Sequence, residues 1–381
     1  MKITGIICEY NPFHLGHKKQ IDHIRRINDD RSGIVCLMSG NFVQRGAPAI
    51  IDKMYRAKAA VLCGADLVLE LPVTCALSSA EGFAAGGVQI LSGFCDSLCF
   101  GAESADAEKL LSIAKTLLSD DFRQVLKQNL EQGVSFPAAR EAALAEMGQE
   151  ACLLKTPNNI LAVEYCKAIL ARNAPMEPMP ILRQGSYHDE LPDSENPSAT
   201  AIRTLMTGDA WKNYVPKAAV DCFENAPLHT LAAGERAVLM RLRTMTDLDF
   251  EALPYGSEGL WRKFMHASRR EATIEAILAA VKSKRYTRSR LDRMLMCAVL
   301  GITEADLTQP IPYVRALAFN DRGREILKQA RNHIPVLNIG QPTDGPYAAL
   351  EQRCDDLYGL FCSAAPEAPG VNAAYRVYYH P

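Results

Sequence analysis

The sequence predicts an α/β protein: a parallel-sheet domain, a largely helical region, and a small C-terminal α/β appendage. Three observations carry this. Short apolar runs at residues 3–7, 34–38, 66–71, 97–100 and 179–182 are separated by segments with apolar residues at helical spacing. Several of these runs end in polar, glycine-bearing loops, as strands do at the ligand-binding edge of an open parallel sheet. From about residue 218 to 300 the pattern is helical, with no alternating strand signal. A chain of 381 residues is also too long for one ordinary core. We therefore expect a sheet domain over residues 1–215 and a mainly helical unit over 216–381. A small βαβ unit near 315–319, 322–331 and 334–337 would end the second.

The chain is organised around Cys8-Glu9-Tyr10-Asn11-Pro12-Phe13-His14-Leu15-Gly16-His17, between the first strand and a helix near 18–27. A helix N-terminus offers unpaired amides and a positive dipole end to phosphate. His14 and His17 fall three residues apart, so one helix face carries both imidazoles toward a single phosphoryl group. Gly16 would let a flat base approach the backbone, and Pro12 presets the turn. These parts suit attack on the α-phosphorus of a nucleoside triphosphate, a reaction that needs charge stabilisation and little covalent work from the protein. The plain alternative is two incidental histidines, or half a metal site.

The second run leads into Ser39-Gly40-Asn41-Phe42-Val43-Gln44-Arg45-Gly46, where the planar fork of Arg45 could hold a phosphate or carboxylate. Asp52 reads as the N-cap of a helix to about residue 62, with Lys53 and Arg56 either solvated or facing phosphates. Residues 79–92 form a small-residue helix suited to close packing on the sheet. Gly101 ends the fourth run, as a turn glycine or a point of ligand approach. Residues 105–147 read as an inserted helical layer. Thr156-Pro157-Asn158-Asn159 starts a helix; one asparagine can cap it and leave the other to read a nucleotide. The run at 179–182 ends in Arg183-Gln184-Gly185-Ser186-Tyr187-His188-Asp189. Ser198-Ala199-Thr200-Ala201-Ile202-Arg203 then opens another helix with hydroxyls and a cation.

Among residues 262–293 there are ten Lys/Arg against three acidic residues, in a chain of net charge −2. Lys282, Lys284, Arg285, Tyr286, Arg288 and Arg290 form the densest part. The cations suit a phosphate backbone and Tyr286 a stacked base; a solvated basic helix is the alternative. No apolar run approaches the about 20 residues needed to span a bilayer, so we expect a cytoplasmic protein. The twelve cysteines contain no Cys-x-x-Cys pair. Cys95 and Cys99 lack a matching ligand pair, and buried reduced thiols are expected rather than a zinc site.

Asn-Pro-Phe-His-Leu-Gly-His resembles the signature of the HIGH-motif nucleotidyltransferases. The longer stretches 5–14 and 38–46, with Pro157-Asn158-Asn159-Ile160-Leu161, resemble the bacterial tRNA(Met) cytidine acetate ligase family over most of the chain. The resemblance implies a Rossmann-like nucleotidyltransferase domain. It implies adenylation of acetate by ATP and acetyl transfer to N4 of the wobble cytidine of elongator methionine tRNA. It places ATP contacts at Ile7, Cys8, Glu9, Tyr10, Asn11, Pro12, Phe13, His14, Gly16, His17, Gln20, Gly101, Asn158, Asn159, Arg183, Gln184, Ser198 and Thr200. His14, His17, Lys18 and Arg45 would carry the chemistry, with Lys53 a further cation. Mg²⁺ is expected with the triphosphate, although no acidic cluster is built to hold it. Where the family carries an acidic residue after Arg45-Gly46 this chain has Ala47, so no role rests there. The rivals are an adenylyltransferase for a small phosphorylated metabolite and a nucleotide-sensing RNA-binding protein.

Overall fold

The computed structural model describes residues 1–28, 31–134, 136–183, 198–283, 285–330 and 334–381. Its strands are β1 (Ile3–Cys8), β2 (Gly33–Ser39), β3 (Phe42–Val43), β4 (Ala47–Pro48), β5 (Leu67–Leu71), β6 (Ser97–Ala102), β7 (Glu177–Leu182), β8 (Val314–Asn320), β9 (Val336–Asn338) and β10 (Tyr378–His380). The main sheet runs β10-β8-β5-β2-β1-β6-β7, with β9 paired to β8, while β3 and β4 form a separate hairpin. All pairs in the main sheet are parallel except β5 with β8. Strands β2 and β5 are buried along their whole length, as expected for strands covered on both faces.

The sequence reading of the first five main-sheet strands holds to within about two residues. The reading of the C-terminal strands as a small appendage is corrected: β8, β9 and β10 extend the central sheet itself. The join is built at Asp66. Its carboxylate accepts from Ile34 N at 2.7 Å, Arg25 at 2.6 Å and Asn320 Nδ2 at 3.0 Å, while its carbonyl accepts from Asn320 N at 3.0 Å. The first sheet domain and the chain's last seventy residues therefore share one sheet.

Helix α1 (Leu15–Asn28) packs Ile21 and Ile24 inward. Helix α2 (Lys53–Leu62) is capped by Asp52, whose side chain accepts from Met54 N at 2.8 Å. The inserted layer comprises helices Ala107–Leu118, Asp120–Glu131 and Phe136–Glu146. Of the helical region, Lys217–Phe223 packs Ala219, Cys222 and Phe223 into the sheet-domain core beside α2, while the helices from Glu235–Thr244 to Arg288–Leu300 build a core around Phe250, Phe264, Leu295 and Leu300. It meets the sheet domain at the β3–β4 turn. Gly46 there has φ +78°, and a Cβ would fall 2.3 Å from the Arg293 backbone nitrogen. Among the described residues, no helix is long and apolar enough to cross a membrane.

Lys53 and Arg56 do not face a phosphate site. Lys53 is fully buried, with Nζ 2.7 Å from both Glu70 and Asp355. Burial alone would discharge it, but the carboxylates of Asp355 and Glu70 hold its pKa above the ordinary value. Arg56 is equally buried and donates to the carbonyls of Ile51, Glu9, Ser39 and Gly40. These cations hold loops together from inside. Beside them, burial and the carboxylates of Glu70 and Asp355 push Glu351 up to about 8.

Candidate active site

The β1–α1 turn builds the site. The Asn11–Pro12 peptide is cis, and Tyr10 has a positive φ of 47°. Tyr10 and Phe13 are buried beneath the turn, with Tyr10 OH 3.3 Å from Cys36 Sγ. Their rings lie 4.8 and 5.6 Å from the His17 ring, supporting it from below. The two imidazoles stack with centroids 3.7 Å apart.

The protonation of both rings follows from their backbone partners. His14 N donates to His17 Nδ1 at 3.3 Å, and Gly16 N donates to His14 Nδ1 at 3.0 Å. Both Nδ1 atoms are acceptors, which leaves each neutral ring its proton on Nε2. Burial pushes His14 down to about 3, with Arg183 and Arg203 acting the same way. Burial, then His14 and Arg183, hold His17 well below its ordinary value. The pair is therefore two neutral N–H donors. Gly16 is also required by the protein itself: a Cβ there would sit 2.9 Å from the His14 ring, blocking its fold onto the helix start.

A cationic rim surrounds them. Arg203 donates to Asn11 O at 2.8 Å and to Thr200 Oγ1 at 3.0 Å, fastening the Ala199–Leu205 helix to the signature turn. The exposed Arg45 lies within electrostatic reach of both Arg183 and Arg203. A site where like charges gather and buried imidazoles stay neutral is one that a polyanion would relieve. Arg203 was missing from the expected site residues, although it ends the Ser-Ala-Thr-Ala-Ile-Arg stretch and falls one turn after Thr200.

The other expected residues divide by what holds them. Asn11 Oδ1 accepts from Ile50 N at 2.8 Å, and Glu9 Oε1 accepts from Gln44 N at 2.7 Å, so both brace the loop. Cys8 donates to Leu37 O at 3.7 Å, and Ile7 is half-buried beside it. Gln20 Nε2 lies 3.5 Å from Cys99 O. Gly101 is exposed, with nothing nearer than Arg183 Cβ at 4.0 Å from an added Cβ, leaving room for a ligand. Glu103 caps the Pro157–Ala171 helix, accepting from Asn159 N at 2.7 Å and Asn158 Nδ2 at 2.7 Å. Neither asparagine amide stands apart from the protein. Asn159 Oδ1 accepts from Ser104 N at 2.9 Å, and Asn158 Oδ1 accepts from Arg183 at 3.2 Å. Ser198 caps its helix through Ala201 N at 3.1 Å. Lys18 is turned along α1 into an ion pair with Asp22, within electrostatic reach of Cys63. Gln184, His188 and Asp189 lie outside the described residues.

Most of the basic stretch is paired with neighbouring groups, several of those pairs at the surface. Tyr286 is buried, with the Arg290 guanidinium over its ring at 5.2 Å, so it offers no face to a base. Arg285 pairs with Glu258 at 2.7 Å. Arg288 spans Glu275 and Asp292 at 2.7 and 2.8 Å, and Arg290 donates to Tyr255 O at 2.7 Å. Lys282 is exposed at a helix end, and Lys284 lies outside the described residues. The linear count of charge included Glu275 and Asp292 but not Glu258 or the Tyr255 carbonyl, which helix packing supplies.

The comparisons decide the family. The model for the HIGH Nucleotidyl Transferase family matches residues 1–369. The tRNA(Met) cytidine acetate ligase of Clostridium novyi is 39% identical over 88% of this chain and 89% of its own. The chain belongs to the tRNA(Met) cytidine acetate ligase family of HIGH nucleotidyl transferases. The relative from Acetivibrio thermocellus is 35% identical over 88% of each chain. The crystal structure of Thermotoga maritima TmcAL in its apo form matches with a TM-score of 0.90 at 30% identity, covering 100% of this chain and 99% of that one. The same protein bound with alpha-thio ATP matches with a TM-score of 0.87 at 31% identity. Family membership thus agrees with a polyanion site built at the signature turn.

Proposed function

We propose that this protein activates acetate with ATP and transfers the acetyl group to N4 of the wobble cytidine of elongator methionine tRNA, in the cytoplasm. The observation that carries the chemistry is the pair of neutral imidazoles whose Nε2–H groups are set by the backbone amides of His14 and Gly16. ATP would lie over the β1–α1 turn, with its phosphates reached by His14, His17, Arg45, Arg183 and Arg203. An acetate oxygen attacks the α-phosphorus in line, and the bond to pyrophosphate breaks. The two N–H donors and the arginine rim stabilise the charge that spreads over the phosphoryl oxygens. The cytidine amine then attacks the acetyl carbonyl, AMP leaves with the bonding electron pair, and the amine loses one proton. The mixed anhydride is already activated, so positioning of the amine suffices for the second step.

Among the described residues, Mg²⁺ does not find a ready protein cage. Glu9 and Glu103, the carboxylates within reach of the arginine rim, are occupied by Gln44 N and by the Pro157–Ala171 helix start. The ion would arrive on the triphosphate's own oxygens with its waters. The helical region beyond residue 216 would meet the tRNA, with Lys282 among its exposed cations.

Radiolabelled acetate tests the reading as a whole. With ATP and an elongator methionine tRNA transcript, label should enter N4-acetylcytidine at the wobble position, and a wobble uridine should abolish it. Label absent from RNA, with AMP instead joined to a phosphorylated metabolite, would overturn the proposal.

A further inference from the structure

Away from the nucleotide site, three side chains of different chemistry converge where the C-terminal segment meets the loop before the Glu235–Thr244 helix. His229, Cys362 and Glu367 each present one donor atom, and the three atoms lie within 4.8 Å of one another. We propose that they form a structural site for a divalent cation of the zinc type, with water completing the tetrahedron.

The donor set is the first argument. An imidazole nitrogen, a thiolate and a carboxylate are the ligands that borderline-soft zinc takes, and a magnesium or calcium site would use oxygen alone. Geometry supplies the second. His229 Nε2 and Glu367 Oε2 are 3.4 Å apart. That is long for a charge-assisted hydrogen bond, which closes to about 2.7–2.9 Å. It is the edge of a tetrahedron whose centre stands about 2.1 Å from both atoms, the usual zinc distance to nitrogen and oxygen.

The backbone holds the donors in place without a metal. His229 and Cys362 face each other in an antiparallel bridge, with Thr230 N donating to Phe361 O at 2.9 Å and Ser363 N to Leu228 O at 2.7 Å. The His229 ring is stacked against Tyr358, centroids 4.0 Å apart and the planes nearly parallel at 16°. His229 and Cys362 are buried, while the Glu367 side chain is 34% exposed, which gives the ion and its water a way in. Binding would release the Cys362 thiol proton to solvent.

The site would brace the nucleotide turn from behind. His229 N donates to Ile50 O at 2.8 Å, and Ile50 N donates to Asn11 Oδ1 at 2.8 Å. Tyr358 OH donates to Ala49 O at 2.8 Å. A cation joining residues 229, 362 and 367 would therefore fix the segment on which Asn11 rests.

Cobalt is the probe. The full chain, stripped with chelator, is titrated with Co²⁺ and then with Zn²⁺. One equivalent should give intense visible bands of a tetrahedral ion and a near-ultraviolet thiolate-to-cobalt band, all bleached by Zn²⁺. Cys362→Ser should lose the thiolate band, whereas Cys152→Ser, at an exposed thiol, should keep it. Glu367→Gln, a surface-reaching change that spares the fold, should weaken Co²⁺ binding by about tenfold or more. Zn²⁺ should raise the melting temperature of the native chain by several degrees and not that of His229→Gln. Absence of the thiolate band in the native chain would overturn the proposal and leave only a His229–Glu367 hydrogen bond beside a buried thiol. So would its survival in Cys362→Ser, or unchanged Co²⁺ affinity in Glu367→Gln.

Discussion

Alanine at both His14 and His17 is expected to slow AMP formation by about 10³–10⁴-fold, since a single preorganised donor to a transition-state oxyanion is worth about 10²–10³. The effect should fall on the chemical step. ATP affinity should change much less, because Arg45, Arg183 and Arg203 remain to hold the triphosphate. Single-turnover AMP formation, followed beside equilibrium ATP binding, separates the two. Both imidazoles start neutral, with His14 held near 3 by burial and by Arg183 and Arg203. At subsaturating ATP, where the rate reports the free protein's groups, it should therefore show no acid limb at the ordinary imidazole value near about 6.5. A loss below tenfold, or a rate that titrates at the ordinary imidazole value, would remove the pair from the reaction.

Replacing Lys53 by methionine should destabilise the protein by about 3–5 kcal/mol, the usual consequence of leaving buried carboxylates without their cation. Glu70 and Asp355, both 2.7 Å from its ammonium, would be left facing each other in the interior. Neutralising both in a Lys53→Met/Glu70→Gln/Asp355→Asn chain should recover most of that loss. Urea unfolding measures the stability, and ATP affinity of the folded variant should stay within about twofold of native. A large loss of ATP affinity without loss of stability would place Lys53 at the phosphates after all.

What could be read from the sequence was local. A strand running into Asn-Pro-Phe-His-Leu-Gly-His and then into a periodic helix fixes where the histidines stand, and Asp52 caps α2 through the amide of Met54, two residues on. What escaped was nonlocal. Lys53 looked like a solvated or phosphate-facing cation because one of its partners, Asp355, lies 302 residues away. Arg290 counted toward a basic face until helix packing brought the Tyr255 carbonyl, 35 residues away, against it. The C-terminal strands looked separate because their pairing with β5 is made through Asp66 and Asn320, across 254 residues. Gly16 is legible in the sequence for its small size, and the structure adds His14 as a group that needs the space.

The most direct measurement of the central claim is exchange of labelled pyrophosphate into ATP, run with and without acetate and in the absence of tRNA. Exchange that requires acetate and disappears in His14→Ala/His17→Ala is the predicted result, since it places reversible carboxylate adenylation at the signature turn. Exchange that ignores acetate, or that persists in the double variant, would contradict it.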